Sequence, residues 1–90
     1  MVFKIVEDPY KDSVQTWGEG NLYFRLKYLP TSREWYLRLD EIKFGQDNVL
    51  RQWTVIRGDF KSKTRAINKT LKIIADYQVS KSNISNLLNI

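Results

Sequence analysis

An α+β fold, with an antiparallel sheet of three to four strands in β-β-β-β-α order and one carboxy-terminal amphipathic helix, is predicted by three features of this sequence. The residues from Leu22 to Tyr28 and from Trp35 to Asp40 alternate apolar and polar side chains with a period of two, around a Pro30-Thr31-Ser32 turn. Ile67, Leu71, Ile74 and Gln78 then fall in one sector of a helix at about 100° per residue. With 90 residues, 42% of them apolar, the chain has material for one modest core. A domain of this size buries only about 60 to 65% of the surface its unfolded chain exposes. The expected organisation is a single domain over 1–79, with 80–90 a tail or a short second helix.

The elements follow in order. Val2-Phe3-Lys4-Ile5-Val6 is β-branched and aromatic and reads as a first strand. Glu7 to Gly20 contains Pro9, Asp12, Gly18 and Gly20 without a sustained period, and reads as a loop. The two alternating segments form a hairpin that buries Leu22, Phe24, Leu26, Trp35, Leu37 and Leu39 on one side. Ile42 and Phe44 have the opposite parity, so burying them with this set calls for a bulge or strand end near Asp40-Glu41. Gly45-Gln46-Asp47-Asn48 is a turn. Val49 to Arg57 is the last strand, its buried side left open because Trp53 and Val55 compete with Leu50 and Ile56. Gly58-Asp59 ends it, and Ser62 or Thr64 caps a helix whose face of Ile67, Leu71 and Ile74 packs on the sheet. After a Ser/Asn-rich break at Ser80, the tail carries Ile84, Leu87 and Leu88 at helical spacing.

Composition narrows the chemistry. The chain has neither cysteine nor histidine, which removes thiolate and imidazole metal ligands, disulfides and the commonest general base. No metal and no cofactor is expected. Asp40-Glu41 are neighbours on a strand and point to opposite faces, which places them poorly as a cooperating carboxylate pair. Gly18-Glu19-Gly20 lacks the Gly-Lys-Ser/Thr ending of a phosphate loop. A non-enzymatic role is therefore expected. Met1 to Asp8 has no basic-then-apolar leader, and no apolar run approaches the roughly 20 residues that cross a bilayer. A cytoplasmic location and no membrane association are the corresponding expectations.

The net charge is +5, unevenly spread. Met1 to Gly20 is mildly acidic, through Glu7, Asp8, Asp12 and Glu19, whereas Lys61 to Ile90 sets six basic residues against Asp76 alone. A basic surface of this kind attracts polyanions or acidic partners. Two candidate faces result. On the hairpin, Tyr23, Arg25 and Lys27 stand across from Tyr36 and Arg38, rings and cations interleaved as base stacking and phosphate contact require. Tyrosine and arginine are also ordinary cross-strand partners that cover a sheet. Around the helix start, Lys61, Lys63, Arg65, Lys69 and Lys72 lie where free backbone N–H groups already favour an anion, with a solvated helix face as the plainer alternative.

The layout from Leu22 to Tyr77, three strands and a helix opening with Gly-Asp-Phe-Lys-Ser-Lys-Thr-Arg-Ala, resembles the small DNA-binding domains of the AP2 and phage-integrase arm type. That resemblance implies a sheet laid in the major groove and braced by the helix. The compact turns of those domains are replaced here by the longer Glu41 to Asn48 segment. The order is also similar to that of single-strand-binding coactivator domains, which present a curved sheet as a dimer, so a homodimer enters as an expectation. The leading reading is a basic module binding DNA or RNA through both candidate faces. The alternative is an adaptor or inhibitor of the kind phages and mobile elements encode, docking on an acidic protein surface. The acidic Glu7 to Glu19 segment favours the alternative, since it would repel a phosphate backbone.

Overall fold

The computed structural model describes residues 2–43 and 49–88. Five strands form one antiparallel meander: β1 (Lys4–Val6), β2 (Gln15–Glu19), β3 (Leu22–Leu29), β4 (Glu34–Ile42) and β5 (Val49–Gly58). One helix, α1 (Lys63–Leu88), follows. The α+β class and the sheet-then-helix order are those read from the sequence, with one strand more. The extra strand is β2, inside the expected loop. Its five residues are too few to show a period and include Gly18, yet Trp17 pairs with Phe24 and sinks to 3% exposure. Gly20, at φ +57°, then makes the two-residue turn into β3.

The β3–β4 hairpin has an unbroken register from Leu22↔Glu41 to Leu29↔Glu34. Phe24, Leu26, Trp35, Leu37 and Leu39 point to one face and are buried against Ala66 and Ile74 of α1, with Phe3 and Trp17 completing the core. No bulge interrupts β4 on this side, so Ile42 stays on the opposite face beside Asp40, where it is nonetheless buried. Phe44 and the expected turn at 45–48 lie outside the described residues. The irregularities sit in β5 instead, where the register with β4 shifts between Leu37/Arg38 and between Glu41/Ile42. The extra residue at Val55 lets Trp53, opposite Leu39, and Ile56, opposite Leu37, share the helix side although three positions separate them. This is why alternation alone left the buried side of β5 open.

The helix begins as its sequence suggests. Ser62 Oγ accepts from the Arg65 N–H at 3.2 Å, a cap on the third helical residue. Two expectations change beyond that point. The helix runs through 80 without a break, 26 residues in all. Its buried line is Ala66, Thr70 and Ile74, flanked by Ile67, Ile73 and Tyr77, whereas Leu71 is 47% exposed. At about 100° per residue, the helix is turned so that Leu71 sits on its shoulder. The small Ala66 and the back-bonded Thr70, whose Oγ1 donates to the Ala66 carbonyl at 2.9 Å, let the backbone approach the sheet closely.

Candidate nucleic-acid interface

The meander has two unlike faces. One carries the core and α1. The other is polar, and it is where Tyr23, Arg25, Lys27, Tyr36 and Arg38 point, because they alternate with the buried leucines and aromatics. The expectation that Arg25 faces solvent is overturned, since it is 2% exposed. The 8–13 segment folds over it. Asp8 sits at the centre of that cover, accepting from the backbone N–H groups of Tyr10 at 2.9 Å and Ser13 at 2.8 Å. Lys11 takes φ +57° to close the turn. Asp8 Oδ1 accepts from Arg25 Nε at 3.1 Å, Asp40 Oδ2 from Nη1 at 2.8 Å, and Asp12 Oδ1 from Nη2. The Tyr10 ring lies 4.9 Å from the guanidinium carbon, closing the stack from outside.

The network consumes the neighbouring cations as well. Lys27 donates to Asp12 at 2.6 Å and Arg38 to Asp40 at 3.2 Å. With its amide oxygen oriented toward Arg38, Gln52 accepts from that guanidinium too. Burial pushes the Asp8 carboxyl up, but the Tyr10 and Ser13 hydrogen bonds and the Arg25 charge outweigh it and hold Asp8 well below the usual carboxylate range. Burial likewise lowers Arg25, and its hydrogen bonds to Asp40 and Asp8 reverse this and raise it above the ordinary guanidinium value. Both groups are thus charged at neutral pH and satisfied by one another. Every buried side-chain nitrogen and oxygen among the described residues has a partner.

The two candidate stacking rings are also engaged. Tyr23 rests over Gly18, close enough that a Cβ added there would meet its ring carbons at 3.2 Å. Tyr36 is half-buried and lines a shallow cleft of about 310 Å³ with Leu29, Arg38, Gln52, Thr54 and Arg57. Arg57 is itself paired with Glu34 at 2.7 Å. Arg25, Lys27, Arg38 and Arg57 on this side are each paired with a carboxylate, while Lys4, in register with Gly18 at its margin, is exposed.

The helix region is built differently. Lys61, Lys63, Arg65, Lys69 and Lys72 are all exposed, and among the described residues none of them makes an ion pair. No acidic residue occupies the first turn of α1. Arg65, Lys69 and Lys72 recur at i, i+4 and i+7, on one outward stripe with Asp76 as its acid. No family model, curated protein or solved structure matches this chain. What it can bind therefore rests on its own chemistry. The sheet cations and the helix cations, expected to act together, lie on opposite sides of the sheet with the core between them. Among the described residues no helix is long and apolar enough to cross a membrane.

Two features of the polar face and the sheet edge escaped the sequence reading. One is the acidic cap, whose signal was the placement of Asp8 and Asp12 ahead of a strand carrying Arg25 and Lys27. The other is β5, the long edge strand, whose Leu50, Trp53 and Val55 are exposed at 51%, 43% and 38%. Trp53 gave a direct signal: its parity could not be reconciled with Ile56 without a bulge.

Proposed function

We propose that this chain is a non-enzymatic nucleic-acid-binding module whose phosphate contacts come from α1 and its lead-in, Lys61, Lys63, Arg65, Lys69 and Lys72, and not from the polar face of the sheet. The observation that carries this reading is the contrast in pairing: Arg25, Lys27, Arg38 and Arg57 on the sheet are matched by carboxylates, and these five are unmatched. Unpaired cations on a helix release condensed counterions when they meet a phosphate backbone, and that release drives affinity. The positive end of the helix adds to the same field. Two of the four acids in the 7–19 segment are removed from the helix side, because Asp8 and Asp12 are folded onto Arg25 and Lys27 on the far face of the sheet, while Glu19 stays opposite Leu22 on the helix side.

The test is a salt titration of binding to a short duplex, followed by fluorescence anisotropy. The logarithm of affinity should fall with the logarithm of salt at about −0.9 per contact, and Lys69→Ala with Lys72→Ala should flatten the slope by about two. Parental slope and affinity in the double variant would remove the helix from the interface. A second reading, a protein-binding adaptor, is favoured by β5. It pairs only with β4 among the described strands and offers an edge ten residues long for strand addition. That reading expects negligible nucleic-acid affinity at physiological salt.

A further inference from the structure

A second cleft, of about 440 Å³, opens on the helix side of the sheet, lined by Leu22, Leu39, Trp53, Tyr77, Glu41 and Arg51. Its volume is near the low end of the roughly 300 to 1,000 Å³ of small-molecule sites. Of the three tryptophans, Trp17 and Trp35 are 3% and 9% exposed, and Trp53 is 43% exposed. The β5 bulge explains the difference. It keeps Trp53 on the core side of the sheet beside Leu39, yet on an edge strand. Tyr77 is held on the other side of the cleft by edge-on ring contacts with Phe3 at 5.8 Å and Phe24 at 5.4 Å. The cleft thus joins a fixed ring to a half-exposed indole.

The charges at the cleft select its occupant. Arg51 and Glu41 approach only to 4.0 Å, with Arg51 70% exposed, so the lining is neutral as a pair while Arg51 remains accessible. A lone phosphate or carboxylate would meet Glu41 as well as Arg51. A planar, neutral ring with a polar edge satisfies both charges and the two aromatic groups. Further cations for the phosphates flanking such a ring lie along α1 on this same side of the sheet, Lys72 about one and a half turns before Tyr77, with Lys69 and Arg65 farther toward the helix start.

We propose that Trp53 is a stacking platform for an unpaired base of single-stranded nucleic acid, with Arg51 and the α1 cations holding the adjoining phosphates. This rests on the nucleic-acid reading above and narrows it to single strands. Tryptophan emission provides the probe, since the two buried indoles are shielded and Trp53 is not. Titration with oligo(dT) should quench the exposed fraction of the emission. Trp53→Ala should weaken oligo(dT) binding at least about fivefold, the effect of one lost stack, and leave duplex affinity and its salt slope unchanged. Trp53→Phe, which keeps a ring, should retain most of the affinity. Unaltered emission at saturating oligo(dT), or equal losses on single strand and duplex, would overturn the stacking site while leaving the helix reading intact. A parent protein that binds neither form would remove both. Acrylamide protection of Trp53 that rises with protein concentration, without nucleic acid, would assign the cleft to a second copy of the chain and overturn the proposal.

Discussion

The polar face of the sheet and the outer face of the helix carry the same kinds of cation and use them in opposite ways. On the sheet, Arg25 is enclosed by Asp8, Asp12 and Asp40, and Lys27 and Arg38 share those same carboxylates. On the helix and its lead-in, five cations stand in solvent, and among the described residues none of their side chains makes an ion pair. The first arrangement costs desolvation and returns rigidity, fixing the 8–13 cover to the strands beneath it. The second leaves a field that acts outside the molecule. A positive charge is evidence for an anionic partner only once its internal partners have been counted.

The strongest way to break this comparison is to remove the centre of the buried network. Arg25→Ala strands two carboxylates away from water, and urea denaturation should show a loss of about 3 to 5 kcal/mol, against under about 0.5 kcal/mol for Lys69→Ala. Similar losses for both would mean that the network is not the structural half of the pair. The apolar face gives the next largest contrast. Leu37→Ala, at a position with no exposure, should cost about 2 to 5 kcal/mol, whereas Leu71→Ala, on the helix shoulder, should leave the thermal midpoint nearly in place. A large drop for Leu71→Ala would restore the helix orientation read from the sequence. The smallest effect concerns pH. Because the folded-state pKa of Asp8 lies below its unfolded value near 3.8, the stabilisation it supplies is present above about pH 4 and is lost as pH falls toward the folded value. Asp8→Asn should be less stable at neutral pH and show a flatter acid limb in a pH series of melts. An acid limb as steep as the parent's would shift the titration to other carboxylates.

The hairpin of β3 and β4 was legible because alternation over many residues leaves few alternatives, and Ser62 was legible as a cap because helix starts have a local chemistry. The strand β2 was not, since Gln15–Glu19 is too short to show a period and is paired on both sides, with β1 and β3, pairings that its own residues do not announce. The helix orientation misled for a different reason. Apolar periodicity favours Leu71, while close approach to a sheet favours the small Ala66 and Thr70, and here the close approach wins. At the site, parity correctly set Tyr23, Arg25 and Lys27 on one side of β3, but parity is silent on whether another segment covers that side. The helix cations needed no tertiary information to be found, only to be shown unpaired.

The meander has a further consequence for how the chain reaches its fold. Each strand pairs only with its sequence neighbours, so the sheet can grow hairpin by hairpin, with short loops to close at every step. The exception is Phe3, whose backbone N–H donates to Gln78 Oε1 at 2.7 Å across 75 positions and whose ring meets Phe24 and Tyr77. Joining these distant segments requires the longest loop closure in the described structure. Contact between the helix and the segment leading into β1 is therefore expected to form last, so that the rings of Phe3 and Tyr77 gain protection from solvent after the amides of β3 and β4.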